Sequence, residues 1–249
     1  MSVAERPVAS ELDELRSQKS LGEKTVDLIR KQPLGAIGLF VVLAMIFMAV
    51  FANYLTGIDP EDNDFANMLK APGFEFLLGT DQFGRDILTR LIYGARTALF
   101  VGFAASFIGS FAGLVLGVMS AYFGGTFDLI FQRIMDVFMA FPLIIMALAI
   151  VSIFGPSTQN VIIAITIPFI PRCARVVRSS ALAIREIPYV DAARALGFGH
   201  ARIILRHMVP NVMAPFLIIL TAGVGQAILL EASLSYLGLG VQEPTAAWG

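Results

Sequence analysis

The stretch YVDAARALGFGHARIILRHMVP, residues 189–210, is basic and helix-prone, and it stands between two runs too apolar for a water-soluble fold. On its N-terminal side, residues 137–171 carry no charge; on its C-terminal side, residues 208–230 carry no Asp, Glu, Lys or Arg. The whole chain follows that pattern. Of its 249 residues 57% are hydrophobic and 15% charged, where soluble domains carry about 25% charged residues, so the composition points to an all-α integral membrane protein. Net charge is −1, so the placement of the charges carries the information and their sum does not. A single cysteine, Cys173, excludes an internal disulfide, and two histidines, His200 and His207, form no ligand cluster. No metal or cofactor is expected.

Outward from residues 189–210, the uncharged runs predict spans at about 34–58, 97–123, 129–154, 159–178 and 210–234. The first has 25 residues without charge, about 37 Å of helix against a ~30 Å hydrocarbon core. Residues 1–33, with six acidic and six basic residues, read as a polar tail that could form a surface helix over 10–31. Residues 59–96 hold seven acidic and four basic residues and read as a loop outside the membrane. Within it an amphipathic helix lying on the membrane surface is expected, capped by Thr80 or Asp81, with Asp86 four residues ahead of Arg90. That helix would contact a partner or simply be solvated.

Gly102, Gly109, Gly113 and Gly117 punctuate the second span, and small residues at such spacing let helices approach closely in lipid. Gly124-Gly125 makes a turn before the third. Residues 155–160, GPSTQN, split the long uncharged run into two spans, and Pro168 and Pro171 kink or end the second of these. Cys173 then sits in a proline-rich bend as a small buried residue.

Counting Lys and Arg by loop orients the chain. With the N-terminus inside, six positives in the tail, Arg133 and seven arginines over 172–207 lie in the cytoplasm, against four outside. The basic stretch is then a cytoplasmic loop, about 185–210. Pro188 enters a short helix, Asp191 lies near its positive end, Ala192, Ala193 and Leu196 continue it, and Gly197 ends it. A second short helix over 200–208 puts Arg202 and Arg206 on one side and stops at Pro210. Two short helices at a sharp bend suit a groove on a partner, although an ordinary loop obeying the positive-inside rule would share the charge pattern. Asp128, Arg133 and Asp136 cluster near the inner end of the third span as an ion pair or a substrate contact. Glu231, at the outer end of the last, is either a functional group facing a cavity or a partner helix, or an interfacial carboxylate held by water.

Asp191-Ala192-Ala193, three residues, Gly197, and Pro210 thirteen residues further on resemble the EAA loop of bacterial ABC-transporter permeases. Asp191 stands where that pattern has Glu, His207 where it has Ile and Val209 where it has Leu. LGTDQFGRDILTRLIYGARTAL (78–99) and EASLSYLGLGVQ (231–242) are similar to signatures of the C-type permease subunit of dipeptide, oligopeptide and nickel importers. The resemblance covers about 34–249. It implies a polytopic helical bundle of the ABC importer type I permease kind with five spans present of an expected six, the last following a pair like Trp248-Gly249.

It further implies a bacterial inner-membrane subunit with its N-terminus in the cytoplasm, carrying peptides, nickel chelates or a similar small solute. Its partners would be a second homologous permease, two cytoplasmic ATPases, an extracytoplasmic solute-binding protein and membrane lipid; nucleic acid is not expected. Asp191, Ala192, Ala193, Leu196, Gly197, Arg206 and Pro210 would form the ATPase-coupling loop. Glu231 and Asp136 are candidates for the pathway or for contact with another subunit. The chain has no GxxxxGK[ST] loop, so ATP hydrolysis belongs to partner subunits and no catalytic residue is assigned. The rivals are a nucleotide-independent channel and a membrane-embedded enzyme.

Overall fold

A computed structural model describes Asp27 and residues 29–249; most of the helix expected over 10–31 lies outside the described residues. The chain divides into two units, Met1–Phe47 and Met48–Gly249. Helix α1 (Pro33–Leu55) begins in the first and ends in the second, and its 23 residues make about 34 Å of uncharged helix, enough for one crossing.

The second unit contains α2 (Ile87–Phe123), α3 (Gly125–Met139), α4 (Leu143–Phe154), α5 (Thr158–Arg185), α6 (Pro188–Ala195) and α7 (His200–Ile203). Helix α7 runs through wider i→i+5 turns at Ile204–Met208 into α8 (Val209–Tyr236). Among the described residues there is no strand, only an isolated antiparallel bridge between Thr80 and Asp86.

The centre of this unit is the contact of α2 with α5. Gly109, Gly113 and Gly117 recur every four residues along one face of α2. A Cβ on Gly113 would stand 2.6 Å from the Cys173 Cβ and 2.9 Å from the backbone of Ile170 and Ala174, and one on Gly117 would stand 2.6 Å from the Ala174 carbonyl. Backbone therefore lies on backbone, and the buried hydroxyl and thiol groups bond across the seam: Thr166 Oγ1 donates to the Ala105 carbonyl at 3.4 Å and Cys173 Sγ to the Ser110 carbonyl at 3.2 Å. Helix α8 crosses the same pair, with Ile228 against Gly102 and Ser106 Oγ donating to the Leu220 carbonyl at 2.7 Å. Ala147 and Val151 of α4 pack on Val161, Ala164 and Ile165 of α5 in one buried cluster, and Leu114, Val118, Val177, Met208 and Val212 form another.

Three elements differ from the sequence expectation. Helix α2 is unbroken from Ile87, so the expected surface helix is the first turns of the span. Its charges need no break in the helix because carbonyls take them up: Arg90 donates to Pro60 and Pro244, and Arg96 to Ala49. The cap is Asp86, which accepts from Thr89 N at 3.0 Å, so it does not pair with Arg90. The segment expected as one span over 129–154 is α3 and α4, bent by 87° where Phe141-Pro142 forces extended backbone. Finally α5 continues through Pro168 and Pro171 to Arg185, with both prolines buried. Packing against α2 outweighs the missing N–H groups, and Cys173 is a helical residue facing Gly113. Among the described residues four helices are long and apolar enough to cross a membrane, and the bent pair makes five passes if it counts as one.

The end of the second unit opposite α6 is closed by a polar knot. Asp81 accepts from the Phe83 and Arg85 amides at 2.8 and 3.0 Å and from Arg85 Nε at 2.7 Å, while Arg85 Nη2 reaches Glu243 at 3.0 Å. Thr80 Oγ1 accepts from Lys70 N at 2.8 Å and donates to the Asn67 carbonyl. The tail of the chain is thereby tied to the start of α2, where Thr97 Oγ1 donates to the Ala246 carbonyl at 2.8 Å and Trp248 Nε1 to the Leu91 carbonyl at 3.0 Å. Burial alone would raise the Asp81 carboxyl, but the bonds from Arg85 and the Phe83 amide outweigh it and hold it below the ordinary range.

Gly113→Ala is expected to destabilise the protein by about 1–3 kcal/mol, seen as a fall of several degrees in melting temperature in detergent, whereas Gly225→Ala, with open space around it, leaves melting unchanged. Because the folded Asp81 carboxyl lies below its unfolded value, its contribution is present above about pH 4 and is lost as pH falls through the folded value. The fluorescence of Trp248, the single tryptophan, should hold steady from pH 7 to about 4 and shift to the red below. Asp81→Asn should show the red-shifted spectrum already at neutral pH.

Candidate functional site

The basic stretch emerges from α5 as a compact two-helix element. Ile187, in extended backbone, caps α6, and Pro188 occupies its first turn, where no N–H partner is needed. At the other end Gly197 has φ +77, the left-handed region open to glycine. There the Phe198 amide donates to the Ala193 carbonyl at 3.1 Å and the Gly197 amide to Arg194 at 2.9 Å, the paired bonds of a Schellman stop.

This stop divides the predicted coupling residues into two sets. Ala193 is buried, with Val190, Ile203 and Met208, in the cluster that includes Val118 and Tyr122 of α2, Val177 and Ile184 of α5, and Val212 of α8. Asp191, Ala192, Leu196, Gly197, Arg206 and Pro210 are exposed. Leu196 and Leu205 are 73% and 68% accessible, which sets two large apolar side chains on the surface beside the charged ones. Asp191 is bonded by Arg194 at 3.0 Å. Pro210 does not stop the second helix. The Val209 amide reaches back five residues to the Ile204 carbonyl, and Pro210 falls in the first turn of α8, where it is tolerated.

Aromatic and ionic contacts fix this element to the bundle. Tyr122 Oη lies 2.7 Å from His200 Nδ1, and the Arg194 guanidinium sits 5.3 Å from the Tyr122 ring centre, within cation–π range. Asn211 donates to Tyr189 Oη at 3.1 Å and to the His207 carbonyl at 2.7 Å. His207 packs between Tyr189 and Phe198. Arg185 donates to the Ala121 carbonyl at 2.9 Å. Asp128 of α3 accepts two bonds from Arg178 of α5, at 2.6 and 2.5 Å, and one from Ser120 of α2 at 2.5 Å. Asp136 is held by Arg175 and stands 3.7 Å from Arg133.

Tyr122, Ser120 and Asn211 carry no motif and were not legible as contributors. Only the excess of arginine over acid in residues 172–207 signalled that partners on other helices were needed.

Glu231 lies apart from this element, on α8. It is fully buried, with one carboxylate oxygen accepting from Ser235 Oγ at 2.7 Å and the other without a partner among the described residues. The structure does not bring Glu231 and Asp136 together: Asp136 is bonded near the α6 end, and Glu231 sits five residues from the far end of α8. Among the described residues no three His, Cys, Asp or Glu side chains converge on a metal site.

Comparison with known proteins accounts for this architecture. Residues 113–249 match the family described as binding-protein-dependent transport system inner membrane component, and residues 20–72 match the N-terminal transmembrane domain of oligopeptide transport permease C. A protein of Brucella suis, provisionally named as the permease of a peptide transport system, is 45% identical over 213 residues, covering 86% of this chain and 72% of that one. The dipeptide transport system permease DppC of Alkalihalophilus pseudofirmus is 43% identical over 221 residues, covering 89% and 73%. A chain of the MetNI methionine ABC transporter, solved in inward-facing conformations, superposes with a TM-score of 0.53 at 23% identity over 61% of this chain and 76% of that chain, a likeness of fold. The chain belongs to the inner membrane components of binding-protein-dependent transport systems and is a multi-pass permease subunit of an ABC importer.

Proposed function

We propose that this permease forms half of a translocation pathway for peptides or a similar small solute, and that residues 185–210 are the cytoplasmic coupling element through which an ATPase drives it. The observation that carries the reading is the division of the loop. Its inner residues Val190, Ala193, Ile203 and Met208 belong to the same core as α2, α5 and α8, while Asp191, Ala192, Leu196 and Arg206 face outward. A push on the exposed tip is therefore transmitted to three membrane helices rather than absorbed by a slack loop. A partner groove would take Leu196 and Leu205 as apolar anchors, and the Gly197 stop holds their angle to the bundle.

In this reading the N-terminus and the basic loop lie in the cytoplasm, because that orientation puts 14 of 18 Lys and Arg in the cytoplasm or toward the cytoplasmic ends of the spans. Residues 59–96 and the knot around Asp81 then face the opposite side, where a solute-binding protein would deliver its load. A second homologous permease completes the pathway and two ATPase subunits close beneath it. Closure carries the loop and the attached helices together, so the cavity changes the side to which it opens. The names of the Brucella and Alkalihalophilus relatives support peptides as the substrate class.

The test is a substitution at the bend. Gly197→Val forces a β-branched residue into the left-handed region at a cost of about 1–2 kcal/mol, with no neighbour within 4 Å to clash, so the effect is on backbone angle alone. In proteoliposomes containing the whole transporter, uptake should fall at least tenfold while membrane insertion and ATP hydrolysis persist. Gly197→Asn, which accepts that conformation more readily, should keep most of the uptake. Full uptake with valine would refute the coupling role.

A further inference from the structure

Three arginines follow one another on α5 at intervals of three residues: Arg172, Arg175 and Arg178. The two nearer α6 have acidic partners on α3, Asp136 for Arg175 and Asp128 for Arg178. Arg172 forms no ion pair among the described residues. Its Nη1 donates to Gln226 Oε1 on α8 at 2.5 Å. It stands 14 residues into α5, about 21 Å from Thr158 at 1.5 Å per residue, inside the expected 159–178 span and toward its cytoplasmic end. A cation at that depth is costly unless it meets water, a counter-ion or a cavity, and it marks a functional position by default.

Cavities lie on both sides of it. One of about 60 Å³, between α2, α5 and α8, is bounded by Ser110, Phe169, Arg172, Ile219, Gly223 and Gln226. The other, about 220 Å³, is bounded by Phe138, Phe141, Leu143, Pro168 and Arg172. The first has room for a water or two; the second is wide enough for a small functional group. Arg172 is exposed, and the bond to Gln226 uses one terminal nitrogen, which leaves the Nε and Nη2 edge free to take a carboxylate in the two-point geometry that guanidinium favours.

From this geometry we infer that Arg172, positioned by Gln226, is a binding point within the helical bundle for a carboxylate of the transported solute. The inference rests on the pathway reading above but not on peptides in particular, since any carboxylate-bearing solute satisfies the site. Arg175 and Arg178, already neutralised, would not compete for the anion. The rival occupant is a carboxylate from a second permease subunit.

The experiment uses the assembled transporter in nanodiscs, modified with phenylglyoxal and mapped by mass spectrometry at Arg172. Acetate and trialanine should slow modification of Arg172 at least fivefold, whereas acetamide and trialanine amide at equal concentration should not. Protection by the amides, no protection at all, or an Arg172 that never reacts because a partner subunit covers it, each overturns the site. In proteoliposomes, Arg172→Gln should cut trialanine uptake at least tenfold with assembly intact, and Arg172→Lys should retain an intermediate rate. Unchanged uptake in Arg172→Gln also counts against the site. A wild-type transporter that takes up no peptide while acetate still protects Arg172 would overturn the peptide reading and sustain the carboxylate site.

Discussion

Three glycines one turn apart on α2 let its backbone lie directly on α5, and most of the second unit depends on that contact. In lipid there is little hydrophobic gain from bringing two apolar helices together, so association rests on close packing and on bonds between the few polar groups they carry. At Gly113 the approach leaves no room for a methyl group. With the two axes this close, Ser110 and Ala105 offer carbonyls to Cys173 and Thr166, and every buried hydroxyl or thiol on the seam is placed by the same geometry. Helix α8 then has a fixed surface to cross, with Gly102 and Gly223 as its own points of close approach.

The loop inherits this rigidity. Helix α5 is a single rod from Thr158 to Arg185 despite two internal prolines, so its C-terminal end is as well positioned as its middle. Arg178 and Arg185 bind α3 and the C-terminal end of α2, and the short helices that follow rest on the same core. The arginines on which the proposed orientation rests also brace the fold through their partners. A surface ion pair contributes little by itself, but Asp128, with Arg178 and Ser120 each bonded to it from a different helix, fixes three elements relative to one another.

Much of this was legible in the residues. The glycine spacing on α2, the left-handed stop at Gly197, the buried role of Cys173 and the pairing of Arg133 with Asp136 all follow from local rules of spacing and conformation. What was not legible depended on long-range partners. Arg90 and Arg96 read as marks of a loop, with Asp86 the expected local partner of Arg90; instead the carbonyls of Pro60, Pro244 and Ala49 accept their bonds from 30, 154 and 47 residues away. Pro168 and Pro171 read as breaks because their cost is local, whereas the packing that overrides it comes from α2. Phe141-Pro142 was the opposite case, a short apolar pair inside a long uncharged run, where the local restriction on the residue before proline decided the bend.

The wider turns at Ile204–Met208 have one more consequence. In a regular helix, residues five apart point about 140° away from each other, so Ile203 and Met208 could not both face one core. Here both are buried in it, and α8 resumes with Val212 and Phe216 at intervals of four residues. The extra residue acts as a change of phase between the two helices: the rotation of the short helix α7 about its axis and the rotation of α8 about its own are set separately. Selection can thus tune which face the loop exposes without rotating the side chains that α8 presents to its neighbours.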